Sequence, residues 1–235
     1  FSQISTSLKD KNIAISISDS KDIQMFGGDE ALLRDITIEL SRHILIAGGK
    51  LVYGGDLRNQ GFTELFADLS YQYGQREKTD RDTKYFTNYF AWPIHLKLSK
   101  THESDFEHSR VSIVKVDAPE ECPFDAIKNF IAPNLPENNY LWAKSLTKMR
   151  LQMEVDVNAR IILGGQTQSF KGKYPGIIEE FITSKSKNHP IYLLGGFGGA
   201  CKAMVDIIEG KVSETYLLEE AKIESSYINF LEYYT

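Results

Sequence analysis

Apolar residues come in short continuous runs that alternate with stretches where they recur every third or fourth position, and this alternation sets an order of elements. Ile13 to Ser18 is a β-branched run ending in Ser18-Asp19-Ser20, the pattern of a buried strand followed by a turn. From Asp29 onward Leu33, Ile36, Leu40, Ile44 and Ala47 recur at helical spacing, and Gly48-Gly49 closes the pattern as a helix C-cap does. Lys50 to Tyr53 then runs as a strand into Gly54-Gly55-Asp56, and a helix is expected from Phe62 to Tyr73. Strand, helix, strand, helix is the order of a parallel sheet with helices on its faces.

The middle of the chain is less regular. Residues 75–84 read as a charged loop, Tyr85 to Ala91 as an aromatic strand stopped by Pro93, and Arg110 to Val116 alternates as a strand does. Pro119, Pro123, Pro133 and Pro136 make 117–139 mostly loop, with at most a short helix near 124–131. Trp142, Leu146, Met149, Met153 and Val157 form a stripe that predicts a helix over 140–158, after which Arg160 to Leu163 enters Gly164-Gly165 as another strand. Pro175 opens a helix reaching Ser184, Pro190 to Leu194 is a strand, Gly195 to Gly199 a turn, and Ala200 to Glu209 a helix. Leu217, Leu218, Ala221, Tyr227, Phe230 and Leu231 predict a last amphipathic helix within 213–233. With no linker and no low-complexity segment, 1–235 reads as one α/β domain: a Rossmann-like open, mainly parallel sheet with helices on both faces.

Composition narrows the partners. Hydrophobic residues are 42 % and charged residues 25 % of 235, so a sizeable core is within reach. Against 32 Asp and Glu stand 27 Lys and Arg, a formal charge of −5, which supplies no global field for a nucleic-acid polymer or an anionic membrane. A phosphate site therefore has to be local. Cys122 and Cys201 are too few for a disulfide framework or a multi-cysteine zinc site, which fits a reducing cytoplasmic setting. No signal-peptide pattern is visible, and Lys202 and several glycines interrupt the most apolar late stretch. The chain begins with Phe1, so a piece of a longer polypeptide is expected.

Three strands end in glycine pairs, Gly54-Gly55, Gly164-Gly165 and Gly195-Gly196. In an open parallel sheet those strand ends share one edge, where glycines let backbone N–H groups approach a phosphate, although glycines also serve plain tight turns. Cations gather near them: Arg58 after the second strand, Arg150 on the long helix, and Lys171-Gly172-Lys173 before the proline-started helix. Tyr53 and Trp92 are candidates to stack a base, against the commoner use of such aromatics as core. Other chemistries find no pattern. Gly196-Phe197-Gly198-Gly199-Ala200 lacks the final spacing of G-x-G-x-x-G, and there is no P-loop, no G-x-S-x-G and no H-E-x-x-H. His95, His102, Asp105 and His108 read as a solvated loop cluster rather than a metal site, and neither metal nor cofactor is expected.

Val52-Tyr53-Gly54-Gly55, then Met149, Arg150 and Met153 on one helix, then Asn158 to Gly165 together resemble the lonely-guy type of phosphoribohydrolase. That group belongs to a wider Rossmann-like superfamily, SLOG, which includes nucleotide-sensing domains, and the resemblance covers about Ile13 to Glu209. In the enzymes, a V-Y-G-G turn, an R-K-x-x-M helix and a P-G-G-x-G-T-x-x-E turn bind a nucleoside monophosphate and cleave its N-glycosidic bond. The resemblance places Glu180 on the family's catalytic glutamate. Here, however, Gln166 to Lys173 enlarge the turn before Tyr174-Pro175-Gly176, Ile177 stands where the family has Thr, and Arg150 falls one residue out of register if Met153 is matched. The Gly195 to Gly199 turn is extra. These departures imply a site remodelled for a larger ligand, formed by Ser18, Asp19, Gly54, Gly55, Asp56, Arg58, Arg150, Gly164, Gly165, Lys171, Lys173, Tyr174, Gly176, Glu180, Gly195, Gly196, Phe197, Gly198 and Gly199. By resemblance the expectation is a sensor of an ADP-ribose-type signal, homo-oligomeric and coupled to a fused or partner effector in antiphage defence. A phosphoribohydrolase using Glu180 is the alternative.

Overall fold

The computed structural model describes residues 7–55, 57–78, 80, 82–213 and 225–234. Six strands, β1 (Asn12–Ser18), β2 (Lys50–Gly54), β3 (Phe86–Phe90), β4 (Val111–Lys115), β5 (Ala159–Gly164) and β6 (Ile191–Leu194), form one sheet in the order β4-β3-β2-β1-β5-β6. Every pairing is parallel. The connecting helices are α1 (Glu30–Ile46), α2 (Phe62–Glu77), α3 (Lys100–His108), α4 (Pro136–Asp156), α5 (Gly176–Ser186) and α6 (Gly199–Ile208), followed by α7 (Ser225–Leu231). This is the expected Rossmann-like open sheet.

The continuous apolar run of β1 follows from burial on both faces. Ile13, Ile15 and Ile17 pack with Leu33, Ile44 and Leu45 of α1 and Leu65 and Phe66 of α2. Ala14 faces the other way, toward Met149 and Met153 of α4. On that second face Ile162 of β5 meets Ile177 and Ile178 of α5 and Ala200, Cys201 and Met204 of α6. Local signals fix the helix starts. The Asp29 carboxylate accepts the Leu32 N–H at 2.7 Å, and Pro136, which has no N–H to leave unpaired, opens α4. Among the described residues no helix is long and apolar enough to cross a membrane.

Several elements differ from the sequence reading. Helix α2 runs to Glu77, into the expected charged loop, because Tyr73 meets Tyr85 edge-on with ring centroids 4.9 Å apart. Helix α3 has Phe106 as its one buried residue, too little to make an apolar stripe, and its start is set by a Ser99/His102 capping box. Residues 124–129 form turns rather than a helix, and Pro175 is the N-cap of α5 rather than its first residue. Of the last predicted helix, 225–231 is helical and 214–224 lies outside the described residues. Tyr227 and Phe230 of α7 pack on Ala143 of α4, with Tyr140 and Phe170 alongside, so this apolar face is covered by the chain itself.

Topology positions the site. From β1 the chain winds outward through β2, β3 and β4, and α4 then returns it to β5 on the other side of β1. The connections after β1 and β5 therefore diverge, and a crevice opens above their carboxyl ends.

Candidate functional site

A cavity of about 580 Å³ occupies this crevice. Of the residues picked from sequence, Ser18, Gly54, Gly55, Arg58, Arg150, Lys171, Gly176 and Glu180 line it. Asp56 lies outside the described residues. Ser18 and Gly164 are register partners at the ends of β1 and β5. Gly164 has φ +64°, and a Cβ there would sit 2.6 Å from the Ser18 carbonyl oxygen, so a side chain would force the two strand ends apart. At Gly176 a Cβ would come within 2.7 Å of Arg150 Nη2, so the bare first turn of α5 leaves the guanidinium its place.

The cavity also takes Ile94, Lys97, Phe130, Trp142, Leu146, Gln166, Ser169 and Phe170, which sequence reasoning left out as site residues. Ile94, Lys97 and Phe130 come from irregular segments without a motif, while Trp142 and Leu146 belong to the helical stripe that read as core. Two lysines of the wall lie over aromatic rings, Lys97 Nζ at 3.6 Å from the Phe130 centroid and Lys171 Nζ at 4.6 Å from that of Trp142.

Charge concentrates at the junction of α4 and α5. Met149 and Met153 are buried against the sheet, so Arg150, about 100° further round α4, is turned toward α5 and the crevice. The register offset that set Arg150 apart from the motif arginine thus brings it beside Glu180. Arg150 is 8 % exposed and forms ion pairs with Glu179 and, from Nε at 3.6 Å, with Glu180 Oε1; that Nε has no hydrogen-bond partner among the described residues. Glu180 Oε2 accepts hydrogen bonds from Ser16 and from Arg160, the latter at 2.8 Å. Arg160, 1 % exposed, bridges Glu180 to the fully buried Glu154 and donates from Nε to Ser184 Oγ at 2.6 Å. His189 Nδ1 stands 2.7 Å from the same Glu154. Burial pushes the Glu154 carboxyl up, but Arg160 and the hydrogen bonds from Ser184, Arg160 and His189 outweigh it and hold the group below the usual carboxylate range.

Other residues picked from sequence are placed elsewhere. The Gly195–Gly199 turn does not reach the crevice. Asp22 accepts the Gly199 N–H at 2.8 Å and the Ser20 hydroxyl at 2.6 Å, so a carboxylate of the chain itself takes the anion position at the start of α6. Gly199 has φ +64°, and a Cβ there would run into the carbonyl oxygen of Gly165. Phe197 packs against the core on the α1 side, and Gly195, Gly196 and Gly198 line neither this cavity nor the next. Gly165 and Gly199 line a second cavity, of about 420 Å³. Asp19 is in neither. Lys173 Nζ stands 6.0 Å from the ring centroid of Tyr174, which packs on the α5 and α6 cluster. Trp92, 1 % exposed, donates its indole N–H to the Ile127 carbonyl at 2.8 Å and is core rather than a stacking surface. The histidines are not a loop cluster: burial lowers the pKa of His95, His102 caps α3, and His108 lies 5.1 Å from the Tyr71 ring. Among the described residues no group of three His, Cys, Asp or Glu is placed to hold a metal ion.

A family model described as SLOG cluster2 matches residues 7–235. No curated protein and no solved structure matches the chain.

Proposed function

This chain belongs to the SLOG cluster2 family, and from that premise we propose that it is a sensor domain whose crevice binds a nucleotide-derived signal of the ADP-ribose or cyclic ADP-ribose type. Family membership supports a nucleotide-related ligand in general. The observation that carries the finer reading is Arg150: a nearly buried guanidinium, paired with Glu179 and Glu180 but with no hydrogen bond at Nε among the described residues, beside the first turn of α5 and in a wall it shares with Arg58, Lys97 and Lys171. In a chain of net charge −5, four cations against the one lining carboxylate, Glu180, favour an anion in this 580 Å³ crevice. In this reading the domain is homo-oligomeric and regulates a fused or partner effector in antiphage defence.

The phosphoribohydrolase alternative has Glu180 in the same wall. Its Oε2 is committed to Arg160 and Ser16, which suits a fixed structural anion better than a group that must stabilise a reacting ribose or activate water. Both readings meet in one experiment. AMP, ADP-ribose, cyclic ADP-ribose isomers and NAD are titrated by calorimetry and by thermal shift, where a saturating ligand should raise Tm by a few degrees. Arg150→Ala should weaken binding about ten- to a hundredfold, Glu180→Gln by no more than a few-fold, and no free base should be released from AMP. Absence of both shift and heat across the panel sinks the sensor reading; turnover that disappears in Glu180→Gln replaces it with the hydrolase.

A further inference from the structure

The second cavity, about 420 Å³, stands on the far side of the loop that follows β5, and Gln166 lines both it and the crevice. Its size falls within the roughly 300–1,000 Å³ of small-molecule sites. Its chemistry differs from that of the crevice. Two carboxylates, Asp22 and Asp206, and two lysines, Lys21 and Lys202, stand in its wall together with the amides of Gln166 and Gln168 and the hydroxyl of Thr167. Asp22 is engaged at the start of α6. Asp206 is paired through Oδ2 with Lys202, while its buried Oδ1 has no hydrogen-bond partner among the described residues and forms a longer ion pair, 3.8 Å, with Lys211 Nζ. Beside these acceptors is an apolar surface: Phe26 is 42 % exposed, with Lys202 Nζ 5.9 Å from its ring centroid.

Resting on the nucleotide reading of the crevice, we infer that this cavity is a second subsite that takes an uncharged ribosyl end of a two-ended nucleotide whose phosphates lie in the crevice. Carboxylate oxygens accept hydrogen bonds from a sugar diol, and a cavity whose two lysines are balanced by two carboxylates offers a phosphate no net attraction, whereas the crevice sets four cations against Glu180, so the two cavities sort the two ends of one molecule. The Phe26 ring offers the sugar an apolar face, and Asp206 Oδ1 offers it a buried acceptor that has no hydrogen-bond donor among the described residues. Gln166, common to both walls, marks where the two parts join. A ligand with one phosphate and one ribose fills the crevice alone; a ligand with a second ribose fills both.

The test is calorimetric titration of the full chain and of Phe26→Ala, Asp206→Asn and Arg150→Ala with AMP and with ADP-ribose. Phe26 is partly exposed, and Asp206→Asn keeps the side-chain shape, so thermal denaturation should report folded variants. Phe26→Ala and Asp206→Asn should each weaken ADP-ribose about fivefold or more while leaving AMP within about twofold, whereas Arg150→Ala should weaken both ligands. ADP-ribose binding that is unchanged in both cavity variants, or an equal loss for AMP and ADP-ribose, overturns the second subsite while the crevice reading stands. If neither nucleotide binds the parent chain, the crevice reading fails and the subsite fails with it.

Discussion

After β5, the loop from Gln166 to Gly176 borders an open crevice, whereas the Gly195–Gly199 turn after β6 is closed from within by the Asp22 carboxylate and the Gly165 carbonyl. Both follow parallel strands, and both lead toward a helix start. They differ in what reaches the helix first. At α6 the orphan N–H of Gly199 is satisfied by a carboxylate held next to the core, so the glycines serve close packing of backbone on backbone. At α5 a guanidinium lies over the bare Gly176, and the support beneath it is ionic: Arg150, Glu179, Glu180, Arg160 and Glu154 in succession. A glycine turn on this edge therefore marks a ligand site only where no side chain of the chain has taken the place of the ligand.

The comparison implies that the open side depends on charge pairing and the closed side on backbone fit, and each dependence can be broken separately. Arg160→Met removes the cation between two carboxylates and leaves Glu154, fully buried, with Ser184 and His189 as its partners. The expected cost is about 3–5 kcal/mol, read from urea denaturation at neutral pH. The pH dependence carries the same signature. Because the folded pKa of Glu154 is depressed, its contribution is complete above the usual Glu value of 4.5 and is lost as pH falls through the lower folded value. Glu154→Gln should thus show a shallower loss of stability than the parent below about pH 4.5. An equal slope in both proteins would show that the pair contributes no linkage.

On the closed side Gly199→Ala is the corresponding break. The residue sits at φ +64°, and the added methyl would run into the Gly165 carbonyl oxygen, which is backbone and cannot swing away. A loss of about 3 kcal/mol is expected from strain and displacement together. AMP affinity should change less than stability, because Gly199 lines the second cavity and not the crevice. A stable variant with collapsed AMP affinity would instead make the closed turn part of the crevice site.

Much of the fold was legible because the strands are apolar runs bounded by glycines, and because helices such as α1 and α4 carry stripes from Leu33 to Ile44 and from Trp142 to Met153. Helix α3 was not, since one buried Phe106 makes no periodicity and its stabilising capping box pairs Ser99 with a histidine in place of the usual Glu or Gln. At the crevice, Gly54, Gly55, Arg58 and Arg150 could be picked from their order along the chain, and Glu180 from the resemblance. Lys97 and Phe130 could not, because a 3-10 turn and a proline-rich loop bring them in through tertiary packing alone. The Gly195–Gly199 turn stands apart from the crevice for one reason. Sequence reveals that Gly195 to Gly199 can approach an anion, but not that Asp22, far away in the chain, already supplies it.

The smallest expected effect separates two glycines of the same turn. Gly196 is exposed, its φ lies outside the left-handed region, and a Cβ built on it meets nothing within 4 Å. Alanine there restricts the unfolded chain without straining the folded one, so Gly196→Ala should leave stability unchanged or raise it by up to about 1 kcal/mol. Affinity for AMP and ADP-ribose should also be unaltered, since Gly196 lines neither cavity. Thermal denaturation and calorimetry of Gly196→Ala beside Gly199→Ala therefore measure fit and ligand contact in one turn. A fall in nucleotide affinity at Gly196 with stability intact would mean that a ligand does reach the closed turn, and the contrast between the two strand ends would then have to be given up.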